Sequence, residues 1–131
     1  MKPLFLLDSS ICIPVLRNKP GLEKLPDPAV TGIPVIVAAE LWTGVQKNLH
    51  THPYQVARLE AFLSLFWISE FTLEAAQHYG DIRASLEASG KSIDPLDLLI
   101  AAQARSLGAT LITANAGEFQ RVKGLKAQAW R

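Results

Sequence analysis

Four carboxylates stand in apolar sequence, where water cannot readily solvate them. Asp8 follows Leu4-Phe5-Leu6-Leu7, and Glu40 lies in Val-Ala-Ala-Glu-Leu-Trp. Asp97 lies in Asp-Pro-Leu-Asp-Leu-Leu-Ile-Ala-Ala, and Glu118 in Ala-Gly-Glu-Phe. Burying an ionised carboxylate is costly unless its charge is compensated. None of the four has Lys or Arg beside it in sequence. If the fold gathers them, a shared divalent cation is the economical compensator. The four would then form a hard-metal site with oxygen ligands, and that site would decide the function.

Each acid also has a simpler reading. Asp8 can cap a helix or serve a turn, and Glu40 suits a helix's first turn. Asp94, Pro95 and Asp97 resemble a capping box at a helix start. Glu118 can be a solvated loop acid.

The elements that must position them can be read from periodicity. Residues 3–8 form a continuous apolar run, the mark of a buried strand. Ser9 or Ser10 can then cap a short helix through Leu16, with Pro14 near its start. Residues 18–32, with Pro20, Pro26, Pro28 and Gly32, read as an irregular connection. A second strand is expected over 33–37, then a helix over 38–49 with apolar residues at 38, 41, 45 and 49.

Pro53 marks another helix start, with the stripe Val56, Leu59, Leu63 and Phe66, and a strand follows at 66–69. Thr72 caps a helix that Gly90 ends. Asp94-Pro95 opens one that is apolar nearly all round through Leu107. A strand over 109–113, a short helix over 116–120 and an edge strand over 126–129 complete the chain.

Buried strands alternating with helices predict a three-layer α/β/α sandwich around a parallel sheet of four to five strands, as a single domain over 1–131. Ligands bind such sheets at the carboxyl ends of the strands. Asp8, Glu40 and Glu118 fall there by topology, as does Asn115. Asp97 does not follow so simply. A strict up-down path would start its helix at the opposite edge, so either helix 72–89 crosses the sheet obliquely or Asp97 lies outside the site.

Composition narrows the function classes. The chain has 131 residues, 49% of them hydrophobic, and a net charge of +1. That charge gives no global attraction to nucleic acid, so any such binding needs a local basic patch. No apolar run approaches the ~20 residues of a membrane span. Met1-Lys2 leads straight into a strand rather than a signal peptide, which points to the cytoplasm. The lone Cys12 reads as a buried, inert small hydrophobe.

Taken in order, the motifs resemble a PIN-domain ribonuclease of the VapC toxin type, across the whole chain. They are Leu-Leu-Asp8-Ser-Ser-Ile-Cys-Ile, Ala-Ala-Glu40-Leu-Trp-Thr-Gly44 and Ile93-Asp-Pro-Leu-Asp97-Leu-Leu-Ile-Ala-Ala102. Leu107-Gly-Ala-Thr-Leu-Ile-Thr113, Asn115-Ala-Gly-Glu118-Phe119, Val122-Lys-Gly-Leu125 and Trp130 follow.

The resemblance implies a Mg²⁺-dependent endoribonuclease, with Mn²⁺ as substitute, neutralised by a VapB-like antitoxin. It implies catalytic Asp8, Glu40, Asp97 and Glu118, with Asp8 and Asp97 as metal ligands. Ser10, Asp94, Thr113 and Asn115 would support the metal or the substrate. Ser9-Ser10 stands where Thr-Asn or Thr-Ser is usual, Asp94 replaces a common Gly, and Asn115 replaces a common Asp, leaving Glu118 as the fourth acid. The expected partners are RNA, the antitoxin and a second copy of the chain, with DNA engaged only through the antitoxin.

Other features read more plainly. His50, His52 and His78 are expected at the surface, without a zinc signature. Trp42, Trp67 and Trp130 read as packing, with Trp42 also suited to a groove or dimer seam. Arg17-Lys19 and Arg121-Lys123-Lys126 could hold phosphates. The apolar helices 38–49 and 53–66, with Trp42, Leu59, Phe62 and Phe66, are expected to leave surplus apolar surface for a dimer. Neutralising Asp8 or Asp97 is expected to leave the metal-free fold intact.

Two rival classes stay open on sequence alone. A Mg²⁺-dependent phosphoacceptor or phosphatase domain also gathers acids at this edge. Against it, Asp8-Ser-Ser10 lacks the second acid of an Asp-x-Asp pair, and no Lys ends a last strand. A non-catalytic interaction module would use the acids only as caps.

Overall fold

The computed structural model describes residues 2–17 and 24–130. Five strands form one all-parallel sheet: β1 (Phe5–Leu7), β2 (Thr31–Pro34), β3 (Trp67–Ser69), β4 (Thr110–Thr113) and β5 (Lys126–Ala129). The helices are α1 (Ser9–Leu16), α2 (Val35–Lys47), α3 (Gln55–Leu63), α4 (Leu73–Ala88), α5 (Pro95–Leu107) and α6 (Ala116–Phe119). The strand order is β3-β2-β1-β4-β5. The chain therefore builds outward from β1 through β2 to β3, then returns to the other side of β1. That reversal creates a crevice at the carboxyl ends of β1 and β4, where such sheets bind ligands.

The central strands are apolar on both faces because helices flank the sheet. Leu6, Leu7, Ile33, Leu111 and Ile112 are fully buried, and they pack with Val37, Ile100 and Phe119 in one core. Gly32 belongs to this close packing. A Cβ there would lie 2.9 Å from Ser69 Oγ and 3.0 Å from Leu6 Cδ2, too near for any larger residue.

The second strand departs from the expected 33–37. It occupies Thr31–Pro34, and Val35 already opens α2. Pro34 has no N–H to continue a ladder, so the strand stops there. Val37, Ala38, Leu41 and Val45 are then all buried at helical spacing. Core packing thus overrides the β preference of Val35-Ile36-Val37.

The first strand is shorter than 3–8. Its last expected residue, Asp8, rather than Ser9 or Ser10, is the N-cap of α1. The third helix starts at Gln55, two residues after Pro53. Thr72 caps α4 as expected, its hydroxyl accepting from Ala75 N at 3.1 Å. Gly108, at φ 66°, closes α5 in the left-handed conformation that glycine supplies cheaply. The expected connection at 18–32 lies partly outside the described residues, as do Pro20 and Lys19.

The helical hairpin α4–α5 resolves the topological difficulty over Asp97. Gln103, near the end of α5, donates to the carbonyls of Ser69 and Glu70, just ahead of α4. Arg105 donates to His78 Nδ1 at 2.8 Å and to Asp81 at 2.7 Å, both around the middle of α4. The end of α5 thus lies by the first half of α4, and the two helices run antiparallel. The pair is laid across the sheet, and α5 begins at the same edge where β1 ends. His78 is accordingly half-buried and bonded, not a free surface residue.

Cys12 is fully buried as expected. Leu59, Phe62 and Phe66 are also buried in the chain's own core, so they are not surplus surface for a dimer. Trp42 is half-buried, and Trp67 is 50% exposed with its indole N–H on the Ala29 carbonyl. Among the described residues, no helix is long and apolar enough to cross a membrane.

Candidate active site

Asp8 is 2% exposed, at the junction of β1 and α1. The Ser9 N–H donates to Oδ1 at 2.8 Å. Two hydroxyls, Ser10 Oγ and Thr113 Oγ1, donate to Oδ2, each at 2.8 Å. Three donors on one buried carboxylate offset much of the solvation it has lost. The hydroxyls also accept in turn: Ala114 N donates to Ser10 at 3.0 Å and Asn115 N to Thr113 at 2.9 Å. Each hydroxyl thereby ties the turn after β4 to the acid after β1.

Glu40 lies in the second turn of α2, and Asp97 in the first turn of α5. Glu118 is in α6, directly beyond β4. Their electrostatics show that they share one region. Burial raises the Glu40 carboxyl, and the charges of Asp8 and Asp94 raise it further against an opposing Ser9 hydrogen bond. Burial likewise pushes Asp97 up to about 7, aided by Glu118, Asp8 and Asp94 and by a hydrogen bond shared with Glu118. Five carboxyl groups thus converge at the carboxyl edge. Among the described residues, no cation contributes to either shift. The two ion pairs among the described residues, Arg83–Glu87 and Arg105–Asp81, lie elsewhere.

Asp94 caps α5 by accepting from Leu96 N at 2.9 Å, with Pro95 at the first helical position. No described hydrogen bond returns from Asp97 to the Asp94 N–H, so Asp97 is not consumed by a capping box. Asn115 is exposed, and its side chain makes no cap hydrogen bond. All eight residues singled out in the sequence therefore lie at or beside one edge. Asp8, Glu40, Asp94, Asp97 and Glu118 are coupled by charge, while Ser10 and Thr113 hold Asp8.

The donor set fits a hard divalent cation. It consists of carboxylate oxygens, and Glu40 Oε1 is buried without any hydrogen-bond partner. Among the described residues, no three His, Cys, Asp or Glu side chains already close around a common point. Asp8 is turned instead to its hydroxyls and Asp97 to Glu118, while Glu40 Oε1 has no partner. An ion would compete with those partners for the same oxygens.

A groove of about 570 Å³ opens beside the cluster between α1, α2 and α3. Glu40, Ile13, Leu16, Leu41, Gly44 and Arg58 line it. Among the described residues, nothing lies within 4 Å of where a Cβ on Gly44 would stand. Sequence reading missed the Arg105 clamp on His78 and Asp81. Arginine and histidine 27 residues apart carry no local signal.

Comparison with known proteins gives a consistent result. The PIN-domain family profile matches residues 5–125. A tRNA(fMet)-specific endonuclease VapC of Shigella flexneri is 35% identical, over 96% of this chain and 97% of that protein. Ribonuclease VapC2 of Rickettsia felis is 36% identical, over 97% and 98%. A crystal structure of DNA-bound VapBC from Salmonella typhimurium superposes with a TM-score of 0.91 at 32% identity, over the whole of both chains.

Proposed function

The chain belongs to the PIN-domain family, among its VapC relatives, and from that premise we propose that it is a divalent-metal-dependent endoribonuclease, the toxin of a toxin–antitoxin pair. The observation that carries this reading is the cluster of five carboxyl groups with no cationic partner among the described residues, and with Glu40 Oε1 buried and unbonded. Asp8 and Asp97 would hold Mg²⁺ or Mn²⁺, and Glu40 and Glu118 would complete the site directly or through water. A bound cation supplies charge against the phosphate and lowers the pKa of water.

The chain's own residues do the rest. Ser10 and Thr113 fix the Asp8 carboxylate, and Asp94 starts the helix that presents Asp97. Glu118, which shares a hydrogen bond with Asp97, would turn to the cation directly or through water, and the exposed Asn115 would offer a neutral oxygen to substrate. Among the described residues no Ser–His or Cys–His pair stands in the site, which argues against a covalent enzyme intermediate, and a water activated at the cation would be the attacking group.

An antitoxin segment would enter the groove beside Glu40 and offer an Arg or Lys to the acids in place of metal. The relatives crystallised as VapBC complexes, some on DNA, support such a partner. DNA would then be engaged through the antitoxin, and a homodimer is the assembly to test. The name of the Shigella flexneri relative makes tRNA(fMet) the first RNA to try.

The test is cleavage of defined RNAs by the purified chain with Mn²⁺, with Mg²⁺ and with chelator. We expect cutting only with metal, abolished by Asp97→Asn. Equal cutting in chelator, or full activity of Asp97→Asn, refutes the proposal.

A further inference from the structure

The acid cluster poses a problem for any RNA that reaches it. Five carboxyl groups repel a polyanion, and the chain's net charge of +1 does nothing to offset them. A local cationic surface must hold the strand. One lies on the flank of the α4–α5 hairpin, in an open cleft of about 640 Å³. Ile82 and Val122 contribute apolar walls, with Ser85, Arg105, Arg121 and Lys123 as donors around them.

The placement of these cations relative to the acids is specific. Arg121 comes one turn after Glu118, its N–H donating to the Glu118 carbonyl at 3.2 Å. Its guanidinium reaches the Ser92 carbonyl at 3.4 Å, two residues before Asp94. Arg121 therefore borders the acid cluster. At the other end, Arg105 spends its donors on His78, Asp81 and the Lys123 carbonyl, and this fixes the Lys123 backbone at 3.0 Å. Among the described residues, Asp81 is the one acid lining the cleft, and its charge is matched by Arg105 at 2.7 Å. Among the described residues, the Lys123 ammonium has no ion-pair or hydrogen-bond partner, and Arg121 has donors to spare.

We infer that this cleft is a phosphate-binding track for single-stranded RNA, taking the backbone as it leaves the acid cluster past Arg121 toward Lys123. The contacts are to phosphate and so carry no base sequence. The inference rests on the nuclease reading, since RNA is the substrate it serves. Arg105 is a clamp between elements and is left untouched in the test.

The probe is a fluorescein-labelled single-stranded RNA of about 20 nucleotides, followed by anisotropy in chelator across 50–200 mM salt. The full chain carries Asp97→Asn, which silences cleavage. Adding Arg121→Ala and Lys123→Ala together should weaken binding and reduce the salt slope by about 1.4, roughly 0.7 for each phosphate no longer neutralised. Arg121→Lys should keep most of the slope. With Asp97 restored, the double variant should raise KM for the 20-mer while leaving kcat and the cleavage of a dinucleotide unchanged. Melting curves guard against simple misfolding.

An unchanged slope in a folded double variant overturns the cleft, even if the parent cuts RNA normally. A parent that binds RNA through the cleft but cuts nothing with any metal instead overturns the nuclease reading.

Discussion

Asp97→Asn should stabilise the metal-free protein, and the gain should grow with pH. The folded Asp97 carboxyl sits at about 7 against an ordinary 3.8, so folding favours its protonated form. The associated stabilisation is fully present below about pH 4 and is lost as pH rises through 7. The gap corresponds to ~4 kcal/mol at about 1.4 kcal/mol per unit. Asp97 is only half-buried, so solvent screening reduces this to ~2 kcal/mol.

Asparagine cannot ionise, and its amide can donate to Glu118 as the shared proton does. At pH 8 in chelator, the variant should therefore melt higher than the parent by about 6–10 °C. At pH 5 the advantage should be clearly smaller. Saturating Mn²⁺ should reverse the order, because the parent gains binding energy that the variant loses. Calorimetric scans at the two pH values, with and without metal, provide the assay. A variant that melts at or below the parent at pH 8 in chelator would falsify the account of acid crowding.

Asp8 should behave oppositely, which revises the expectation that neutralising either aspartate spares the fold. Its two oxygens accept from Ser9 N, Ser10 Oγ and Thr113 Oγ1, and an amide must turn its NH₂ toward one of those donors. Asp8→Asn should cost about 1–3 kcal/mol in urea melts even without metal, and unchanged stability would contradict the network. Thr113 is fully buried, so Thr113→Val should cost a similar ~1–3 kcal/mol, whereas Thr113→Ser should recover most of it; equal losses would show that only packing matters. Calorimetric titration of Mn²⁺ should find Glu118→Gln weakened and Asn115→Ala near the parent. The reverse ranking would move Asn115 into the site and leave Glu118 a loop acid.

How much of this could be read from the chain depends on the range of the signal. The parallel sheet and most helices were legible because continuous apolar runs and 3.6-residue stripes are local. Thr72 and Asp94 declared their helix starts for the same reason. Pro34 shows where locality failed. The run Ile33 to Val37 is strand-like in every residue but Pro34, and the missing N–H of Pro34 together with burial of Val37 with Leu41 divides it between strand and helix.

Asp97 was ambiguous for a deeper reason. A helix start and a metal site both want a carboxylate at the same position, so composition and spacing cannot separate them. The separation comes from what the carboxyl meets. Asp94 already satisfies the cap at Leu96 N, while Asp97 faces Glu118 and Asp8, 21 and 89 positions away along the chain. The same holds for Thr113, whose sequence context is merely the end of a strand. Its importance lies in one 2.8 Å bond to an acid 105 residues earlier, made only because the strand order reverses at β1. Local rules therefore place each acid at an edge, and the crossover between β1 and β4 makes those edges one site.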